Sequence, residues 1–249
     1  MADLDIEKIP LIMRKNNWVN GANLMERWFS LPANSSPLQG SPSTDIVTMK
    51  WVKSFTRSKT VYNKLISEKV WLNDAAKQEI KKLLLKKGLL SNVKMKFGYP
   101  KNSPHISDRN SIQYRKVGGY WDMATGDMDD LRASLGNFVF KIIVLGEVTP
   151  ILKSNKTPTG EYQVKIDEIG VYIKDSYDFN DLPDKDQSLG NWDIDDHSVG
   201  RTFFNGGDSI FNSDFRKWRK KHAKGGDFYV FSDIEYIKQN DNNTFTIKK

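Results

Sequence analysis

The sequence predicts an α+β protein: a helical N-terminal region followed by a mostly antiparallel, half-barrel-like β domain with one short helix. Three observations lead there. Apolar residues recur at three-to-four spacing between residues 46 and 84, long alternating stretches run between residues 138 and 174, and Gly/Pro turns become the dominant punctuation from residue 93 onward. The expected division is a helical region over residues 1–92, suited to delivery or loading, and an α+β domain over residues 93–249.

The first 45 residues are poorly patterned, with Trp18, Leu24, Met25, Trp28 and Phe29 as anchors ahead of the Pro/Ser-rich connector 31–43. Ser43 or Thr44 is positioned to cap a helix that carries Ile46, Val47, Trp51, Val52 and Phe55. A second helical run holds Val61, Tyr62, Leu65 and Ile66. A third opens at Asn73 or Asp74, places Ile80, Leu83 and Leu84 opposite Lys81, Lys82, Lys86 and Lys87, and stops at Gly88. Asp127–Gly136 reads as a short helix with acid at its start and glycine at its stop. Strands over 138–148 and 162–174 flank a turn and form a hairpin. A helix capped at Asn212 or Ser213 runs through Ala223, and segments 228–237 and 244–247 make a closing hairpin.

At 249 residues and 38% hydrophobic, the chain can bury a full core. It has no cysteine, which excludes disulfides, thiolate metal ligands and a thiol nucleophile. The longest apolar stretch, 138–145, is interrupted by Lys141 and too short to span a bilayer, and the acidic start lacks the basic and apolar regions of a signal peptide, so a soluble protein without Sec-type export is expected. The net charge of +7 is uneven: residues 1–110 carry 19 Lys+Arg against 9 Asp+Glu, and residues 111–249 carry 19 against 22. A basic half suits an anionic partner, or is the solvated face of lysine-rich helices.

Chemistry is expected where the second long strand ends. Val171 and Ile173 alternate with polar residues and lead into Asp175, Tyr177 and Asp178, the start of a segment in which eight aspartates fall between residues 175 and 196. Two carboxylates close enough to interact can separate acid from base roles, and such a density of oxygen ligands suits a hard cation such as Mg²⁺ or Ca²⁺ on Asp175 and Asp178. Asp184, Asp186, Ser188 and Asp195 imitate part of a calcium loop, but Leu189 occupies the turn position that needs glycine. His197 and Arg201 supply a proton carrier and a fixed cation. Arg216, Trp218 and Arg219 lie on the basic helix, where they could hold an anion or serve as its packed and solvated faces. Walker, Rossmann, serine-hydrolase and zincin motifs are absent.

Gly170–Asn180, Leu189–Trp192, Asp214–Arg219 and Gly225–Asp233 together resemble an uncharacterised bacterial domain family over the C-terminal ~130 residues, one associated with type VI secretion and contact-dependent toxins. Asp175, Tyr177 and Asp178 also resemble the Asp-x-Tyr-Asp motif of the colicin M family, which cleaves the pyrophosphate link of lipid II in the periplasm. That resemblance implies a metal-dependent hydrolase of phosphodiesterase type, with His197 and Arg201 completing the site, although both stand further from Asp178 than the family's pattern has them. It implies an antibacterial effector made in the bacterial cytoplasm and acting in a target periplasm. Its partners would be a lipid-linked pyrophosphate, a secretion-apparatus protein, an immunity protein and a membrane surface; nucleic acid is not expected. The alternatives are a non-enzymatic secretion adaptor and a nuclease that uses the basic helix 212–224.

Overall fold

The structure, a computed structural model, describes residues 5–119, 128–181, 185–193, 197–200, 208–240 and 242–249. The chain forms two compact units, each assembled from three separate segments. Unit 1 comprises residues 1–47, 118–138 and 175–230, and unit 2 comprises residues 48–117, 139–174 and 231–249. Residues 92 and 93 both lie in unit 2. The expected α+β class holds: the early elements are mainly helical, the later ones mainly antiparallel strands, and the sheets do not close into a barrel.

Unit 2 is built on a long ribbon. Strands β3 (Phe138–Leu152) and β4 (Pro158–Tyr177) pair antiparallel from Val139 opposite Lys174 out to Leu152 opposite Pro158, extending the expected hairpin at both ends. Alternation places Phe140, Ile142 and Val144 in the core together with Val164, Ile166 and Ile173. β1 (Met95–Phe97) and β2 (Gln113–Val117) pair with β3. β9 (Glu235–Lys238) and β10 (Thr244–Lys248) each lie along β4, at 168–171 and 161–165 respectively. They therefore do not form the closing hairpin expected between them, because β4 is long enough to offer each of them its own stretch of edge.

The helices of unit 2 follow from their caps. Thr48, rather than Ser43 or Thr44, starts α3 (Met49–Val52) by accepting a hydrogen bond from the Trp51 N–H at 3.2 Å. α4 (Thr56–Ser67) buries Tyr62 and Leu65. α5 (Asp74–Lys86) is capped by Asn73, which accepts from Ala76 N–H at 2.8 Å, and ends before Gly88 at φ +65°. A one-turn α6 (Pro104–Ser107) leads to Asp108.

Unit 1 is organised around Trp28. The first 45 residues hold two helices that the sequence pattern conceals, α1 (Ile9–Lys15) and α2 (Val19–Ser30), and Trp28 is fully buried on α2. The Phe179 and Phe215 rings stack at 3.8 Å between centroids, and both meet the Trp28 ring edge-on. Aromatic side chains bury the most area per residue and gain further from such edge contacts, so this cluster is the main apolar anchor of the unit. α7 (Asp130–Leu135) caps α2: the Asp130 carboxylate accepts from the N–H groups of Gly21 at 2.8 Å and Asn20 at 3.2 Å. A three-stranded sheet is formed by β5 (Ser188–Asp193), flanked by β6 (Ser198–Gly200) and β7 (Asp208–Phe211). α8 (Asn212–His222) follows, and the chain then returns as β8 (Phe228–Phe231), which pairs with β4.

The Gly225–Gly226 pair does more than end α8. Gly225 sits at φ +91°, and a Cβ there would come within 2.4 Å of the Trp28 ring. Only glycine allows this loop to close on α2, where Gly226 N–H reaches the Trp28 carbonyl at 3.1 Å.

Candidate active site

The last turn of β4 opens into a cavity of about 510 Å³, lined entirely by unit 1 residues. Asp175, Ser176, Tyr177, Asp178, Phe179 and Asn180 form one wall, the strand end the sequence singled out. α7 and the residue pair after it supply Arg132, Ser134 and Asn137, and the approach to β5 supplies Gln187 and Ser188. Ile9, Met13, Met25 and Ile210 make the apolar part. The result is an amphiphilic pocket with convergent polar groups, the ordinary character of a ligand site.

The two carboxylates stand in different environments. Asp175 is half-buried and lines the cavity. Burial pushes its carboxyl well above the usual value; a hydrogen bond from the Ser176 N–H opposes this and the charge of Asp178 adds to it. Asp178 is held in place: it accepts from the Ser176 hydroxyl at 2.6 Å and from the Asn180 N–H at 3.1 Å. Tyr177 is buried, and burial, followed by the charge of Asp175, pushes its phenol up so that it remains protonated. Its ring stacks on Phe228 at 5.3 Å between centroids, and its hydroxyl has no hydrogen-bond partner among the described residues. One carboxyl raised by burial, one hydrogen-bonded carboxylate and one tyrosine hydroxyl thus share a wall.

The remaining sequence-derived candidates go elsewhere. His197 is not among the described residues lining the cavity; it takes φ +52°, and its carbonyl accepts from Asn16 Nδ2 at 2.8 Å, which ties it to the end of α1. Arg201 lies outside the described residues. Arg216 reaches the Phe179 carbonyl at 2.8 Å and Asp181 at 2.6 Å, with Asp186 at 3.3 Å. Arg219 pairs with Asp227, which also accepts from Trp28 Nε1 at 3.0 Å and Asn180 Nδ2 at 2.9 Å. Trp218 packs on Phe29 and donates to Glu7 at 2.9 Å. Arg216 anchors α8 to the wall that carries the carboxylates directly and Arg219 does so through Asp227 and Asn180, Trp218 anchors it to Glu7 and Phe29, and none of the three lines the cavity.

The aspartate-rich segment divides in the same way. Asp181 and Asp186 are bound to α8 through Arg216, Asn212 and the Ser213 N–H, while Asp184, Asp195 and Asp196 lie outside the described residues. No group of three or more His, Asp or Glu able to hold a metal ion occurs among the described residues. Asp175 and Asp178 are hard oxygen donors of the kind Mg²⁺ or Ca²⁺ takes, and each Asp178 oxygen keeps a lone pair beyond the one hydrogen bond it accepts.

Arg132 is the cavity residue that sequence reasoning missed. It sits in a short helix, where a lone arginine two residues after the Asp129–Asp130 pair ends was a visible signal, and its N–H is capped by Asp129 at 2.9 Å.

A family model matches residues 4–205 and 201–247, almost the whole chain. The chain belongs to a family of unknown function, DUF6402. The expected resemblance to an uncharacterised family therefore holds, and it covers the N-terminal helices as well as the C-terminal ~130 residues. No match was found among curated proteins or among solved structures. Family membership thus names no reaction, and the chemistry rests on the cavity.

Proposed function

We propose that this protein is a hydrolase in which Asp175 and Asp178 act as an acid–base pair on a phosphate ester bound in the unit 1 cavity. The observation that carries this reading is that one cavity wall holds two carboxylates in different surroundings: Asp175, whose carboxyl is raised by burial, and Asp178, fixed by two hydrogen bonds. Asp178 takes a proton from the water that attacks phosphorus. Asp175 gives its proton to the departing oxygen as the old ester bond breaks. Tyr177 orients the substrate through its hydroxyl, and Arg132, which also lines the cavity, stabilises phosphoryl charge. No step is routed through a metal ion, through His197 or through Arg201.

The Asp-x-Tyr-Asp resemblance selects the substrate class: a polyprenyl-pyrophosphate peptidoglycan precursor, cleaved at the ester bond between the prenyl oxygen and the pyrophosphate. A pocket with both apolar and hydrogen-bonding walls is compatible with such an amphiphile. In this proposal the protein is an antibacterial effector of the type VI secretion kind, delivered to a target periplasm and neutralised by an immunity partner. The test is expression in a susceptible bacterium with and without a periplasmic leader. Lysis only from the periplasm, abolished by Asp178→Asn at equal protein level, is the expected result. Toxicity only from the cytoplasm supports a nuclease instead, and harmlessness in both compartments supports a secretion adaptor.

A further inference from the structure

The charge of the chain is divided by unit more sharply than by sequence half. Unit 2 contains 25 Lys+Arg against 11 Asp+Glu, a net +14, whereas unit 1 contains 13 against 20, a net −7. Within unit 2 the excess is concentrated in residues 48–117, with 17 Lys+Arg against 4 Asp+Glu. Helices α4 and α5 both pack on β2, and their outward faces carry Arg57, Lys59 and Lys64, and Lys82 and Lys86. A solvated helix face normally mixes its charges. Here Lys59, Lys69, Lys81, Lys86 and Lys87 have no acidic partner among the described residues, while Glu68 and Glu79 are already taken by Arg115 and Lys82.

Apolar side chains stand among these cations. Leu85 is 43% exposed between Lys81, Lys82 and Lys86, and Val93, at 63%, follows the helix beside Lys94 and Lys96. The basic residues of the segment are 14 lysines and 3 arginines. Arginine forks suit the fixed geometry of phosphodiesters and bases, whereas lysine is a point charge that suits a diffuse anionic surface. We infer that the α4–α5 face of unit 2 docks on an anionic phospholipid bilayer, with the lysines over the headgroups and Leu85 and Val93 entering the interface. This inference concerns unit 2 alone and does not depend on the reaction proposed for the cavity.

The test uses the full-length protein and sedimentation with vesicles of phosphatidylcholine, with or without phosphatidylserine. Binding to the anionic vesicles should exceed binding to the neutral ones by at least about tenfold and weaken as salt rises. Lys81→Gln, Lys86→Gln and Lys87→Gln combined should lower it by about a hundredfold, on the basis of one surface-facing charge after another. The same change at Lys220, Lys221 and Lys224 of unit 1 should leave it within about twofold, since that unit is acidic overall. Unchanged unfolding midpoints in both triple variants exclude misfolding, and Leu85→Ser is a second variant that should weaken binding without altering charge. Equal binding to both vesicle types, or none, overturns the inference. So does binding to duplex DNA or RNA, lost in the α5 triple variant, in a protein that ignores vesicles.

Discussion

Two half-buried aspartates, one in each unit, show how differently the units use the same side chain. Asp108 in unit 2 is held by Lys141 at 2.5 Å, Lys174 at 2.7 Å and the Tyr172 hydroxyl at 2.8 Å. Burial pushes its carboxyl up, but the two ammonium groups and the hydroxyl outweigh that and hold it below the usual value. Asp175 in unit 1 has no cation among the causes that set its acidity within the described residues, so burial prevails and the carboxyl is raised. The difference lies in the neighbours, since both groups lose water.

The two should therefore respond to pH with opposite signs. Asp108 binds fewer protons folded than unfolded, so its contribution to stability is present above the ordinary Asp value of 3.8 and fades as pH falls below it. Asp175 binds more protons folded, so its contribution is intact below 3.8 and is lost as pH rises through its raised folded value. Urea unfolding across pH should show Asp108→Asn costing about 3–5 kcal/mol near neutrality, where it strands two partly buried lysines, with the deficit shrinking in acid. Asp175→Asn should instead gain stability over wild type as pH rises. The same slope in both variants would mean that the neighbours do not decide the two states.

A second contrast concerns ion pairs. Arg216→Ala removes the partner of Asp181, whose side chain is only 8% exposed, and should cost about 2 kcal/mol by denaturant titration. Because Arg216 also holds the Phe179 carbonyl, this variant should loosen the cavity wall. The smallest effect is expected for Lys82→Ala in unit 2: its pair with Glu79 joins two exposed side chains, and the loss should stay under about 0.5 kcal/mol. A larger loss there than at Arg216 would reverse the ranking by burial.

These contrasts mark what the sequence could show. The helix 74–86 was legible because its cap, apolar spacing and terminal glycine agree, and the long ribbon was legible because its alternation persists over many residues. The α1 and α2 helices were hidden because Trp28 and its neighbours pack against aromatic residues about 150 to 190 positions away, and no local period records that partner. The same reason hid the two-unit division, in which each unit draws on three segments. The strand end with Asp175, Tyr177 and Asp178 was found, since charge and periodicity meet there. Arg132 was missed because the approach of α7 to that strand end is a tertiary fact. The roles expected of Arg216 and Arg219 fell to structure: Asp181, Asp186 and Asp227 already claim both guanidinium groups.

The most direct test of the cavity as an acid–base site is incubation of the purified protein with lipid II, followed by chromatography, in parallel arms containing Mg²⁺, Ca²⁺ or a chelator. Release of the pyrophosphorylated disaccharide-peptide is predicted, with a rate lowered by roughly 10²–10⁴ in Asp178→Asn and within about twofold of wild type in His197→Ala. No release in any arm, or release that survives Asp178→Asn, contradicts the assignment of Asp175 and Asp178 as the reacting pair.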